Sequence, residues 1–141
     1  MNSLRESLER LRKTLEGGFQ PDTAAPGFLG STASTGHCAA VAVIVHALFG
    51  GVMISVLVEG HSHWLNRITN GGKSLDVDLT GDQFGRPPIQ LEEAGQLYPD
   101  TRVRKAAELT KETLERARRL AERSGVVEAV HVIDTALRER V

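Results

Sequence analysis

One cysteine in 141 residues leaves no partner for an internal disulfide. A lone thiol of this kind fits a reducing compartment, where it is kept for chemistry or for packing. Charge of one sign is equally scarce: 17 Lys and Arg against 18 Asp and Glu give a net charge of −1. That balance supplies no electrostatic pull toward nucleic acid or an anionic membrane surface. Long hydrophobic runs are missing too. The longest, Cys38 to Val45, is too short for a bilayer even when extended past His46 to Phe49. The start, Asn2-Ser3-Leu4-Arg5-Glu6-Ser7, has no apolar core of signal-peptide type. Internal repeats and low-complexity segments are absent, as is any Cys-x-x-Cys or His-x-x-x-His pairing. These absences predict a soluble, cytoplasmic chain with no membrane or nucleic-acid partner. Its length predicts a single domain over 1–141 with room for one core.

What is present reads as α+β. Ser3-Leu4-Arg5-Glu6 has the form of a capping box, and Leu4, Leu8, Leu11 and Leu15 follow at helical spacing up to Gly17-Gly18. This predicts an N-terminal helix within residues 1–18. Phe19 to Gly36, rich in Pro, Gly, Ser and Thr, reads as a surface loop running toward the site. Cys38 to Phe49 has the β-branched content of a strand, but its length and alanines favour a helix. Apolar on nearly every side, that helix belongs in the centre, capped by Thr35 or Ser34, with Cys38 in its first turn. Val52–Val58, His63–Ile68 and Leu75–Leu79 read as strands, and Asp82-Gln83-Phe84 as a short turn before the Arg86-Pro87-Pro88 break. From Asp100 the pattern turns helical. Val103, Ala106, Thr110, Leu114, Ala117 and Ala121 make one face, ended by Gly125, and Val126, Val130, Ile133 and Leu137 stripe a last helix. The site-bearing core is expected in 36–84 and the two C-terminal helices in 100–141. Arg116, Arg118, Arg119 and Arg123 alternate with Glu108, Glu112, Glu115 and Glu122, which reads as a solvated, salt-bridged face.

Thr69-Asn70-Gly71-Gly72 joins the second and third strands. Asn-Gly is a strong type I′ signal, because that turn needs positive φ at both central residues. With Asn70-Gly71 as the turn, His63 faces Asp78, Leu65 faces Asp76 and His61 faces Thr80. With Gly71-Gly72 instead, His63 faces Thr80 and Leu65 faces Asp78. Alternation puts His61, His63, Asp76 and Asp78 on one side, with Ser62, Trp64, Asn66, Val77 and Leu79 on the other. Opposed Cβ atoms are roughly 5 Å apart, within reach of a His–carboxylate hydrogen bond.

Cys38, His63 and Asp78 are the groups a nucleophilic cysteine requires. An ordinary thiol is only slightly ionised at neutral pH, and a helix N-terminus and an imidazolium both favour the thiolate. His63 would carry the proton to the leaving group, Asp78 would orient the imidazole, and the Cys38 N–H would face a developing oxyanion. Candidate substrate or oxyanion contacts are His37, Thr32, Ser34, Asn66, His61 and Asp76. Plainer roles compete: Asp76 as a solvated partner, Asn66 as a structural hydrogen bond, His46 as a satisfied core histidine and Trp64 as core.

Gly36-His37-Cys38-Ala39-Ala40-Val41-Ala42, His63-Trp64-Leu65-Asn66-Arg67 and Asp78-Leu79-Thr80-Gly81-Asp82-Gln83-Phe84 resemble the small bacterial YunG-like proteins. That family has a Gly-x-Cys-Ala start, a Ser-His-x-x-Asn-Arg strand and an Asp-Leu-Thr-x-x-Gln-Phe segment. The resemblance spans Gly36 to Phe84, with a weaker match after Pro99. It implies a compact member of the papain-like, transglutaminase-like superfamily: a central helix begun by the Cys, packed on a small antiparallel sheet that carries His and Asp. By motif, Cys38 would be the nucleophile, His63 the base and Asp78 the orienting acid. Two positions depart from the superfamily: His37 stands before the Cys, and no oxyanion Gln lies between Phe28 and Gly36.

The expected function is a cysteine-dependent acyl transfer on an amide or thioester, as hydrolase, deamidase or transamidase, without a cofactor or metal. Its substrate would be a peptide, a protein or a small amide or thioester. The departures motivate a second expectation, a non-catalytic module that binds a protein or peptide. A third is zinc binding by His37, Cys38, His61, His63 and Asp78. The C-terminal helices are a candidate homodimer interface.

Overall fold

A computed structural model describes residues 2–25 and 36–139. Helix α1 (Asn2–Glu16) leads into a short helical turn at Pro21–Thr23. Helix α2 (Cys38–Phe49) follows, then strands β1 (Val52–Val58), β2 (His61–Asn70) and β3 (Lys73–Asp78), and a turn at Gly81–Phe84. Strands β4 (Gln90–Glu93) and β5 (Arg102–Arg104) precede a turn at Ala106–Glu108 and helices α3 (Lys111–Arg123) and α4 (Val127–Arg138). The five strands form one antiparallel sheet in the order β4-β3-β2-β1-β5. Among the described residues the architecture is therefore α+β, four helices with a five-stranded sheet. Among the described residues, no helix is long and apolar enough to cross a membrane.

Helix α2 is the hub. Its near-uniform apolar surface leaves Ala40 through Val45 buried. It packs on β2 on one side and on α3 and α4 on the other. Leu8, Leu11 and Leu15 of α1, Met53, Ile68, Leu75 and Val77 of the sheet, and Leu114, Leu120 and Ile133 of the last helices complete the main core. A residue such as Ile44, with no exposed surface, would cost about 2–5 kcal/mol on truncation to Ala. Gly51 lets the chain turn from α2 into β1 against the neighbouring strand: a Cβ there would collide with the Arg67 carbonyl. Behind the sheet, Ile54, Leu65, Leu97 and Tyr98 form a smaller cluster.

Several expectations are corrected. The β2–β3 turn is Gly71-Gly72, at φ 60° and 80°, with Asn70 paired to Lys73. Both glycines take positive φ without steric cost, so Asn70 remains in the strand. Arg67, not Leu65, therefore faces Asp76. The helical face drawn through Val103 and Ala106 does not form. Arg102–Arg104 is an edge strand on β1, Val103 is 58% exposed, and α3 starts only after Thr110. The Thr110 hydroxyl accepts the Thr113 N–H at 3.1 Å, a cap that overrides the upstream spacing. Strand β4 was not anticipated, because Gln-Leu-Glu-Glu holds one apolar residue and suits only a sheet edge. Ser3 lies inside α1 rather than capping it. Thr35 and Ser34, expected to cap α2, lie outside the described residues, and His37 holds the N-cap position. Three arginines on α3 do more than face solvent: Arg118 pairs with Asp134 of α4, and Arg119 and Arg123 reach across to Asp22.

Candidate active site

The first hydrogen bond within α2 runs from Val41 N–H to the His37 carbonyl at 2.9 Å. The N–H groups of Cys38, Ala39 and Ala40 thus have no partner inside the helix, as at any helix start. Cys38 opens this helix with its Sγ 4.0 Å from the Ser62 carbonyl oxygen on β2. The next residue along β2, His63, is buried on the sheet face opposite Trp64 and Asn66.

His63 Nε2 and Asp78 Oδ2 are 2.8 Å apart, and neither residue exposes more than 1% of its surface. They meet despite the corrected register, for a geometric reason. Moving the turn by one residue shifts the pairing by two, which preserves the alternation of side chains. His63 and Asp78 stay on one face and meet diagonally rather than head-on.

Asp78 is held from three further directions. The Tyr98 hydroxyl donates to Oδ2 at 2.7 Å, and the Thr80 N–H and hydroxyl reach Oδ1 at 3.0 and 3.4 Å. Burial alone would raise this carboxyl, but the His63 bond and charge, with Tyr98 and Thr80, hold it below the usual range. Burial works against an imidazolium at His63. Asp78, and after it Cys38, override that and push His63 up to about 9. Burial and Asp78 likewise raise the Tyr98 phenol, which stays protonated as a donor.

With Nε2 committed to Asp78, Nδ1 is the remaining ring nitrogen, and it is buried without a hydrogen-bond partner. The thiol is close enough to help hold a proton on His63, although no hydrogen bond of standard geometry joins them. Cys38, 7% exposed, is the member of the three that solvent reaches.

The segment after β3 braces this arrangement. The Gln83 side chain donates to the Thr80 carbonyl at 3.1 Å and accepts the Gly36 N–H at 3.3 Å. It thereby ties the Asp78 loop to the residues leading into Cys38. The Phe84 ring meets His63 edge-on at 4.9 Å between centroids. From α1, buried Arg12 pairs with Asp82 through two nitrogens at 3.0 Å and also donates to the Leu79 carbonyl. Arg86 lies 4.1 Å over the Tyr98 ring and donates to the Leu97 carbonyl. The sequence placed Gln83 and Phe84 in a turn and a family motif without giving them a part in the site, and Tyr98 and Arg12 drew no attention. A lone Tyr needs a buried partner for its hydroxyl, and an Arg sits between core positions Leu11 and Leu15; those were the available signals.

Other candidates are placed elsewhere. His37 is buried, its Nε2 2.6 Å from the Thr23 hydroxyl and its ring against Phe19. Asn66 donates to the Ala42 carbonyl at 2.9 Å in the sheet–helix interface. Asp76, expected to be solvated, is fully buried: Arg67 clamps both oxygens at 2.7 and 3.0 Å, and the Gly95 N–H donates at 2.8 Å. His61 is exposed near the β1–β2 turn. Thr32 and Ser34 lie outside the described residues. His46 is not the satisfied core histidine expected: its Nδ1 is buried without a partner, beside a small cavity walled by Val43, Met53 and Leu109. Among the described residues, no three His, Cys, Asp or Glu side chains converge as a metal site.

A model of the YunG protein family matches residues 7–125, from the middle of α1 to the end of α3. The chain belongs to the YunG family. The match extends well beyond the motif-bearing stretch from Gly36 to Phe84. Neither a curated protein nor a solved structure matches the chain.

Proposed function

We propose that this YunG-family domain is a compact papain-like, transglutaminase-like cysteine enzyme that transfers acyl groups from an amide or thioester. One observation carries the reading: a buried His63 spends Nε2 on a carboxylate, leaves Nδ1 without a hydrogen-bond partner, and is pushed up by the Cys38 thiol as well as by Asp78.

In this mechanism Cys38 gives its proton to His63 and attacks the substrate carbonyl carbon as thiolate. The oxyanion forms beside the helix-start N–H groups of Cys38 and its neighbours. His63 then protonates the departing amine or thiol as the C–N or C–S bond breaks, leaving a thioester on Cys38. Water or an amine attacks that thioester with His63 as base, releasing the product and the thiol. Asp78 stays ionised and fixes the ring, held in turn by Tyr98 and Thr80. Hydrolase, deamidase and transamidase differ only in leaving group and acceptor.

The test is alkylation by iodoacetamide at pH 6.5, followed by mass. The reading expects Cys38 to react at least tenfold faster than glutathione, and His63→Ala to remove the advantage. A glutathione-like rate, unchanged in His63→Ala, overturns it.

The closure of the site favours a second reading, in which the same scaffold binds a protein or peptide without chemistry. His63 has no exposed surface, and Phe84 and Tyr98 rings lie against it. This reading expects Cys38→Ser to leave partner binding intact and the wild-type thiol to be unreactive.

A further inference from the structure

The sheet has an unfinished edge on β1, one strand over from Ser62, the neighbour of the thiol. Strand β5 is three residues long and pairs only with Met53, Ile54 and Ser55 of β1. Val56, Leu57 and Val58 continue β1 beyond it, paired to β2 on one side. In a strand, alternate residues direct their N–H and C=O groups to opposite edges. Part of the backbone of these three residues therefore faces away from β2, with no strand among the described residues to meet it. Among the described residues, no backbone hydrogen bond from outside the sheet reaches them.

This edge lines an open groove of about 600 Å³. One wall is β1 from Ser55 to Glu59, and the other is the chain from Tyr98 to Asp100 with Arg102. Ser62 and Tyr98 also line the groove. Both belong to the candidate site: the Ser62 carbonyl is the neighbour of Cys38 Sγ, and Tyr98 bonds Asp78. Leu57 is 75% exposed along the groove, a large apolar side chain beside open main-chain groups.

We propose that an extended polypeptide segment lies in this groove as an added strand on Val56–Val58. The proposal rests on the acyl-transfer reading and names its substrate class as a peptide or protein chain rather than a small amide. Three strand residues span about 10 Å, enough to pair with about three residues of the incoming chain. Recognition is through the main chain, with side-chain selection secondary. The groove's charges support that: Arg86, Arg102 and Arg104 stand against Glu59 and Asp100. Arg86 is engaged by Tyr98 and the Leu97 carbonyl, and Arg104 by Ser55 and Glu108. No strong field of one sign remains to demand a charged ligand.

The experiment uses the full chain with Cys38→Ser, so that nothing turns over, and an equimolar library of capped heptapeptides as probe. Amide hydrogen exchange is read residue by residue. Within Val56–Val58, outward-facing amides should slow at least tenfold on saturation, with no comparable change along β4, the other sheet edge. Unchanged exchange in β1, or protection confined to β4, overturns the proposal. In the wild-type chain, Cys38 should react at least tenfold faster with a four-residue peptidyl chloromethyl ketone than with the one-residue analogue. Equal rates count against the groove. The iodoacetamide assay judges the thiol separately, so an inert Cys38 would sink the acyl-transfer reading and leave the exchange result to judge the strand.

Discussion

Asp76 and Asp78 stand two residues apart on the same face of β3, and both are buried. Each is surrounded by donors, yet the pairs they make differ in kind. Asp76 is clamped by Arg67, a cation that cannot lose its proton at any ordinary pH, and by a backbone N–H. Asp78 is bonded by His63, an imidazole that can gain or lose its proton, and by a phenol and a backbone N–H. The first pair can only hold the sheet to the loop at Gly95. The second can move a proton. Burial of a carboxylate does not separate structural from chemical roles; the titratability of its partner does.

The comparison breaks most visibly in thiol reactivity. His63→Ala should lower alkylation of Cys38 at pH 6.5 at least tenfold, removing its advantage over an ordinary thiol. Arg67→Ala should leave that rate within about twofold. If both variants slow alkylation alike, the two carboxylates do not divide the work as described.

Stability against pH is the next test. His63 is raised above its unfolded value of 6.5 to about 9, so its contribution is complete below pH 6.5 and lost as pH rises through 9. Asp78 is lowered, so its contribution is present above the ordinary carboxylate range and lost in acid. Urea unfolding of the wild type should therefore lose about 3 kcal/mol between pH 6.5 and 9. Asp78→Asn should flatten that dependence.

Asp76→Asn should cost about 2–3 kcal/mol, because Arg67 loses its counter-charge at a partly exposed position. That cost should be nearly the same at pH 6 and pH 9, as urea midpoints at the two pH values will show. A cost that fades at pH 9 would mean His63 couples to Asp76 as well.

The smallest effect is expected of Tyr98→Phe, about 1 kcal/mol for one lost hydrogen bond to Asp78. Without that donor Asp78 becomes the stronger acceptor, so the His63 ring should titrate slightly higher by NMR. Faster loss of alkylation than of stability would give Tyr98 a closer part in the chemistry than positioning.

The legible parts of the site were those set by local rules. Alternation along β2 and β3 put His63 and Asp78 on one face under either turn. The apolar run from Cys38 to Phe49 is a helix whose first residue is the thiol. The illegible parts needed distant chain. Tyr98 reaches Asp78 across 20 residues, Arg12 reaches Asp82 across 70, and no periodicity encodes either meeting. The segment from Val103 to Ala106 shows the opposite failure. Its helical spacing is real, but pairing with Met53–Ser55 outcompeted it, and the Thr110 cap started the helix later.

By itself the sequence determined the α+β class, the central apolar helix, the hairpin and the common face of its His and Asp. These follow from side-chain period and turn chemistry, which act over a few residues. Tertiary structure alone decided the register's diagonal, the approach of Cys38 to His63 through the packing of α2 on β2, and the burial that turns a surface-looking Asp76 into a clamped one. Those depend on which elements pack together, and packing is settled by shape and partner availability across the whole chain.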